Sequence, residues 1–153
     1  MNEVIGVRKV CDCGLDMNLG FRHVIFEGRI QIENVPILEC EYCSNYEVIS
    51  EVKPHLLTLL KDWRTAEGSQ LIYFNEYNEI ADLLYGIFRQ VPDLDMDNLE
   101  GMLNERRQER INLLLDLYGY AKDNKDDFWM EDVKGRLCQL TQFAKNRQKI
   151  QAP

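Results

Sequence analysis

Two close pairs of cysteines, Cys11-Asp12-Cys13-Gly14 and Cys40-Glu41-Tyr42-Cys43, lie 26 residues apart near the start of the chain. A CxC and a CxxC at that separation bring four thiolates to one point when the segment between them folds as a hairpin. Four sulfurs then complete the tetrahedron of a structural zinc ion. Gly14 permits the tight backbone turn that such a knuckle needs. A hairpin head of about fifty residues buries little core, and a structural zinc adds about 10–16 kcal/mol of apparent binding energy to its folding. Cys11, Cys13, Cys40 and Cys43 are therefore the expected ligands of one zinc ion.

The residues around these pairs read as strands and turns. Val4-Ile5-Gly6-Val7 leads to Cys11, His23-Val24-Ile25-Phe26 runs into Glu27-Gly28, and Arg29-Ile30-Gln31-Ile32-Glu33 alternates with period two. Glu27-Gly28 between two β-branched runs predicts a tight hairpin turn. After residue 50 the apolar spacing becomes helical and is expected to stay so to the end. Pro54 suits the first turn of a helix carrying Leu56, Leu57, Leu60 and Trp63, and Gly68-Ser69 ends that unit. Asn75 is the expected N-cap of a second helix, with Tyr77, Ile80, Ala81, Leu84, Phe88 and Val91 on one face and Pro92 as its stop. Asp97 with Glu100 has capping-box spacing and opens a helix running to about Lys122. The last helix begins near Asp126 and carries Trp129, Met130, Val133, Leu137, Leu140 and Ala144. The expected fold is α+β: a zinc-ribbon head over residues 1–50, followed by an all-α body of about four helices over 51–153.

The run Gly28-Arg29-Ile30-Gln31-Ile32-Glu33-Asn34-Val35-Pro36-Ile37-Leu38-Glu39-Cys40-Glu41-Tyr42-Cys43-Ser44-Asn45-Tyr46-Glu47 resembles the YgiT/MqsA-type zinc finger, in which a strand and a Val-Pro dipeptide precede the second cysteine pair. The resemblance covers the first ~50 residues and implies the same four zinc ligands. In that family a CxxC usually opens the finger, where this chain has CxC. Its antitoxin branch adds a DNA-binding helix-turn-helix, whose pattern is not visible after residue 50. The cysteine spacing is also similar to the zinc switch of the redox-regulated heat-shock chaperones, which implies a thiol-zinc site open to oxidation.

Charge bears on partners. Lys plus Arg total 18 against 26 Asp plus Glu, a formal net charge of -8, which opposes a long footprint on nucleic-acid phosphates. Met1 to Val10 hold no secretory signal and no apolar stretch is long enough to span a bilayer, so a cytoplasmic chain with no membrane contact is expected. In a reducing compartment paired cysteines read as metal ligands. His23 and His55 read as structural, and Cys138 as a small buried residue with no histidine near it in sequence to activate it. The acids at 93, 95, 97 and 100 read as helix-start chemistry, and no nucleophile elbow or phosphate loop appears. A Cys-only zinc set is usually closed to catalysis.

The function expected from these residues is that of a non-enzymatic regulator or adaptor binding another protein. An antitoxin-type transcriptional or nucleic-acid-binding regulator and a thiol-zinc redox switch are the alternatives. The run Glu105-Arg106-Arg107-Gln108-Glu109-Arg110 interrupts the apolar stripe of its helix. Arg106, Arg107 and Arg110 are accordingly the candidate partner-binding residues, because Arg beside exposed aromatics marks protein interfaces. The basic residues Lys134, Arg136, Lys145, Arg147 and Lys149 near the end of the chain leave a local contact with nucleic acid or an acidic partner open.

Overall fold

The computed structural model describes the backbone of residues 7–151 and the side chains of residues 7–141. Val4-Ile5-Gly6 and the side chains of Phe143, Ala144, Lys145, Arg147 and Lys149 lie outside the described residues. The elements follow in the order β1 (Asn18–Phe26), β2 (Ile30–Glu39), β3 (Tyr46–Val48), α1 (Lys53–Arg64), β4 (Gln70–Tyr73), a 3₁₀ turn (Phe74–Glu76), α2 (Glu79–Gln90), α3 (Met96–Asp123) and α4 (Asp127–Gln151). The class is α+β.

The hairpin turn falls where the sequence predicts it. Glu27 and Gly28 both take positive φ, 53° and 70°, and Arg29 N–H closes the turn on Phe26 O at 3.3 Å. Two left-handed residues match the twist of the strands they join. β2 is the central strand: β1 pairs antiparallel along one side, while β3 and β4 share the other. Val24, Ile32 and Ile72 form one transverse row turned into the core, and Ile25, Gln31 and Leu71 form the exposed row beside it. One face of the sheet thus packs and the other is solvated. Phe21 of β1 meets Tyr85 and Phe88 of α2 edge-on, at 5.4 and 5.2 Å between ring centroids.

Three sequence expectations need correction. The segment after residue 50 is not wholly helical, because β4 runs parallel to β2 with Ile30 opposite Gln70 and Ile32 opposite Ile72. Four residues are too few to display a period, and α1 is the crossover that makes a parallel pair possible. The N-cap of α2 is Asn78, whose Oδ1 accepts from Ala81 N–H at 2.8 Å. Asn75 lies in the 3₁₀ turn, bridging Asn34 and Asp82. The cap of α3 is Asp95, which accepts from Asp97 N–H at 2.9 Å. Acids at 93, 95 and 97 offered equivalent starts, and only the path of the chain chooses among them.

α3 runs unbroken through Glu105 to Arg110 for 28 residues. Its Leu99, Leu103, Leu114 and Ala121 are fully buried, with Val133 and Leu140 of α4. Ile30, Ile32, Ile49, Val52, Phe74, Ile80, Leu84 and Leu99 belong to a single buried cluster. That buried cluster draws on residues from both sides of residue 50.

Candidate metal centre

The four cysteines come from two chain reversals at one end of the sheet. The first is closed by Cys11 N–H to Leu15 O and Gly14 N–H to Cys11 O, both 2.8 Å, with Gly14 at φ +95°. The second follows the end of β2 directly, with Cys40 N–H to Asn45 O and Ser44 N–H to Cys40 O, both 2.9 Å, and Ser44 at φ +60°. Each pair is thus followed by one left-handed residue, which turns the chain back and leaves both sulfurs on the inside of the bend.

Across the two reversals the sulfurs converge. Cys11 Sγ lies 3.2 Å from Cys43 Sγ and Cys13 Sγ lies 3.5 Å from Cys40 Sγ. All four ligand atoms fall within 4.8 Å of one another. A tetrahedron of thiolates about 2.3 Å from a zinc ion has edges of about 3.8 Å, so these separations bracket a metal-sized cluster. All four are free thiols. Cys11 and Cys40 are buried, Cys43 is half-buried and Cys13 is exposed.

Backbone amides point at the sulfurs. The Cys43 N–H, joined by that of Tyr42, draws the Cys40 thiol down to about 7 against the effect of burial. The Asn45 N–H pulls Cys43 down as well, but bonding to Cys11 and burial outweigh it and the thiol is pushed up to about 12. At Cys13 the Leu15 N–H is likewise outweighed by Cys40 and burial, and its pKa is raised. Amide donors favour thiolate, while crowded sulfurs share protons to avoid accumulating charge. A dication removes that conflict, because it binds all four as thiolates while the amide donors remain in place. The donor set therefore fits a metal ion.

Three ion pairs brace the reversals, the first joining Arg8 to Asp16 across the Cys11–Cys13 turn at 3.3 Å. Lys9, before the first, meets Glu47 of β3, after the second, at 2.6 Å. Val7 and Arg8 donate their backbone N–H groups to Glu100 Oε1 at 2.7 and 3.0 Å, and Arg8 pairs with Asp97 at 2.7 Å. Glu100 thus anchors the head on α3 instead of closing the capping box its spacing suggested.

The other sequence candidates stand apart from this centre. His23 is exposed on β1 beside Glu33. His55 is half-buried against Asn78. Cys138 is exposed, contrary to the expectation of a buried residue, because α4 turns it away from the seam holding Leu137 and Leu140. The three arginines are divided. Arg107 Nε donates to Leu140 O at 2.9 Å, and Arg110 binds Glu79 and Asp82, each at 3.1 Å. Arg106 lies over Gly86 of α2 and forms no hydrogen bond or ion pair among the described residues.

Sequence reasoning missed the buried Glu79, whose carboxylate also takes Arg136 at 3.1 Å and whose N–H is received by Gln139 Oε1 at 2.7 Å. An acid in the first turn of a helix reads as dipole chemistry, which hid its role as the junction of α2, α3 and α4. Among the described residues no helix is long and apolar enough to cross a membrane. No protein-family model, curated protein or solved structure matches the chain.

Proposed function

We propose that the chain is a cytoplasmic, non-enzymatic adaptor whose head is held by one structural zinc ion and which acts by binding another protein. The carrying observation is the convergence of four sulfurs within 4.8 Å from two reversals that differ in sequence and, by one residue, in length. Four thiolates select zinc over hard cations such as calcium or magnesium. The resemblance of residues 28–47 to the YgiT/MqsA finger supports the same metal.

The adaptor half of the reading rests on what the surface offers. Exposed apolar residues occur on the head, at Leu15 and Tyr42, and on the helices, at Leu113, Tyr120 and Phe128. The net charge of -8 weighs against the antitoxin-type alternative, since nucleic-acid affinity is built on neutralising phosphates. The redox alternative has one observation in its favour, the close approach of Cys11 to Cys43 and of Cys13 to Cys40.

The test has two arms. Protein purified under reducing conditions is expected to carry about one zinc per chain and to lose it in Cys40→Ser; no zinc in freshly reduced protein would overturn the metal assignment. Affinity recovery from native cytosol, with and without nuclease, is expected to yield a protein partner in both cases. Recovery abolished by nuclease would replace the adaptor by the nucleic-acid regulator.

A further inference from the structure

α3 carries a second seam whose C-terminal half no described residue covers. Met102, Arg106, Glu109, Leu113, Asp116, Tyr120 and Asp123 follow one another at alternating steps of four and three residues. That is the spacing of a side-by-side helix contact, here with apolar residues at Met102, Leu113 and Tyr120 and charges at the other four positions. The neighbouring seam, roughly a quarter turn round the helix through Leu99, Leu103, Leu114 and Ala121, is buried. Along the uncovered one Leu113 and Tyr120 are 52% and 63% exposed, Glu109, Asp116 and Asp123 are exposed, and only Met102 and Arg106 are half-buried.

The surface beside the seam is concave. A groove of about 730 Å³ runs between α2 and α3, walled by Leu83 and Gly86 on one side and Met102, Arg106 and Leu113 on the other. A separate shallow hollow of about 420 Å³ lies further along α3 at Asp116, Gly119 and Tyr120. Gly86 and Gly119 leave open the space that side chains would fill.

The charges choose the occupant. Glu109, Asp116 and Asp123 form no ion pair among the described residues, and neither does Glu105 at the flank. Arg106 is the one cation on the seam and is likewise without a carboxylate. A second copy of the chain would set three acids against three acids, at a cost in desolvation and repulsion.

We propose that this seam is the docking site of a basic amphipathic helix from a partner protein. Its apolar residues lie against Leu113, Tyr120 and Met102, its Lys or Arg residues face Glu109, Asp116 and Asp123, and a single carboxylate meets Arg106. The one reversed charge fixes the register, because sliding the helix by a turn would place that carboxylate against an acid. The inference rests on the adaptor reading and names the surface and partner chemistry for it.

The test uses the full zinc-loaded chain and a synthetic helical peptide of about 21 residues, three heptads, with Leu at the seam, Lys opposite the three acids and one Glu opposite Arg106. Fluorescence anisotropy is expected to give saturable binding. A peptide of shuffled order and a peptide with Lys and Glu exchanged should each bind at least tenfold more weakly. Glu109→Lys with Asp116→Lys should weaken the first peptide and strengthen the exchanged one until the two bind about equally, and binding of the exchanged peptide also reports that the variant is folded. Leu113→Ser should weaken the first peptide without altering thermal unfolding.

Equal binding of the shuffled peptide, no saturation, or indifference to both variants would overturn the seam. If the native partner is recovered equally by the Glu109→Lys, Asp116→Lys protein, the seam fails while the adaptor reading stands. If the native chain recovers no partner at all, the reading beneath it fails.

Discussion

Arg110 donates through Nη1 to Glu79 Oε1 and through Nη2 to Asp82 Oδ2, each at 3.1 Å, and so clasps α3 to the first turn of α2. Burial works against the charge of Arg110, but the bonds to Asp82 and Glu79 outweigh it and its pKa lies above the ordinary value. Arg136 of α4 completes the junction at the same carboxylate oxygen. Removing the anion would leave two guanidinium groups facing each other in a half-buried site. Glu79→Gln is expected to cost about 2–4 kcal/mol in chemical denaturation, and Arg110→Ala a similar amount. Arg106→Ala should stay within about 0.5 kcal/mol of the native protein. A triple alanine variant at 106, 107 and 110 would therefore lose stability through its two engaged members, and Arg106 alone is the clean probe of partner contact. Equal stability of Arg106→Ala and Arg110→Ala would contradict this division.

His55 makes stability depend on pH. Asn78 uses Oδ1 as the cap of α2, so its Nδ2 donates to His55 Nδ1 at 2.8 Å and the imidazole accepts in its neutral form. Burial lowers the pKa of His55 below the usual 6.5. A base with a depressed folded pKa takes up its proton more readily when unfolded. Its contribution is therefore complete above about pH 6.5 and is lost as the pH falls toward the folded value. His55→Gln keeps an acceptor and removes the titration, so the difference in unfolding free energy between native protein and variant should vary between about pH 7.5 and 5. A constant difference across that range would show that His55 does not titrate on unfolding.

The hairpin turn offers a stabilising change. Glu27 occupies a left-handed position with φ 53°, which Asn tolerates better than Glu in a two-residue turn before Gly. Glu27 also pairs with Arg64 at 3.1 Å, but both side chains are substantially exposed and such a pair contributes about 0–1 kcal/mol. Glu27→Asn should leave stability unchanged or raise it by up to about 1 kcal/mol, read as a shift in the denaturation midpoint. A clear loss would assign Glu27 a larger role in fastening α1.

Oxidation should join the cysteines across the two reversals. With hydrogen peroxide as oxidant, each pair of thiolates gives one disulfide and two hydroxide ions, so four thiolates consume two peroxides and release the metal. Because the short separations are Cys11 to Cys43 and Cys13 to Cys40, these are the bonds expected by peptide mapping without reduction. A head stapled in that way keeps its two reversals together after the metal has gone. Disulfides within the pairs, Cys11 to Cys13 and Cys40 to Cys43, would instead mean that the head opens before it oxidises.

Sequence alone determined what depends on neighbours along the chain. The cysteine pairs with Gly14, the Glu27-Gly28 turn, Pro54 at the start of α1 and the apolar stripe of α3 were all legible, because each is a local conformational preference or a short repeat. The cluster of four cysteines was legible for the same reason: two short loops aim their sulfurs locally, and only their meeting is a long-range event. Tertiary structure decided the rest. The four residues of β4 become a strand only because β2 offers an open edge beside Ile30 to Glu33. Asn78 caps α2 where Asn75 was expected, since His55 from α1 holds its amide. Arg110 and Arg107 turn inward because α2 and α4 bring them Glu79, Asp82 and the Leu140 carbonyl. Whether an arginine serves the fold or a partner is set by the carboxylates that reach it, and residues 28 and 31 positions away in the chain leave no periodic trace from which that could be read.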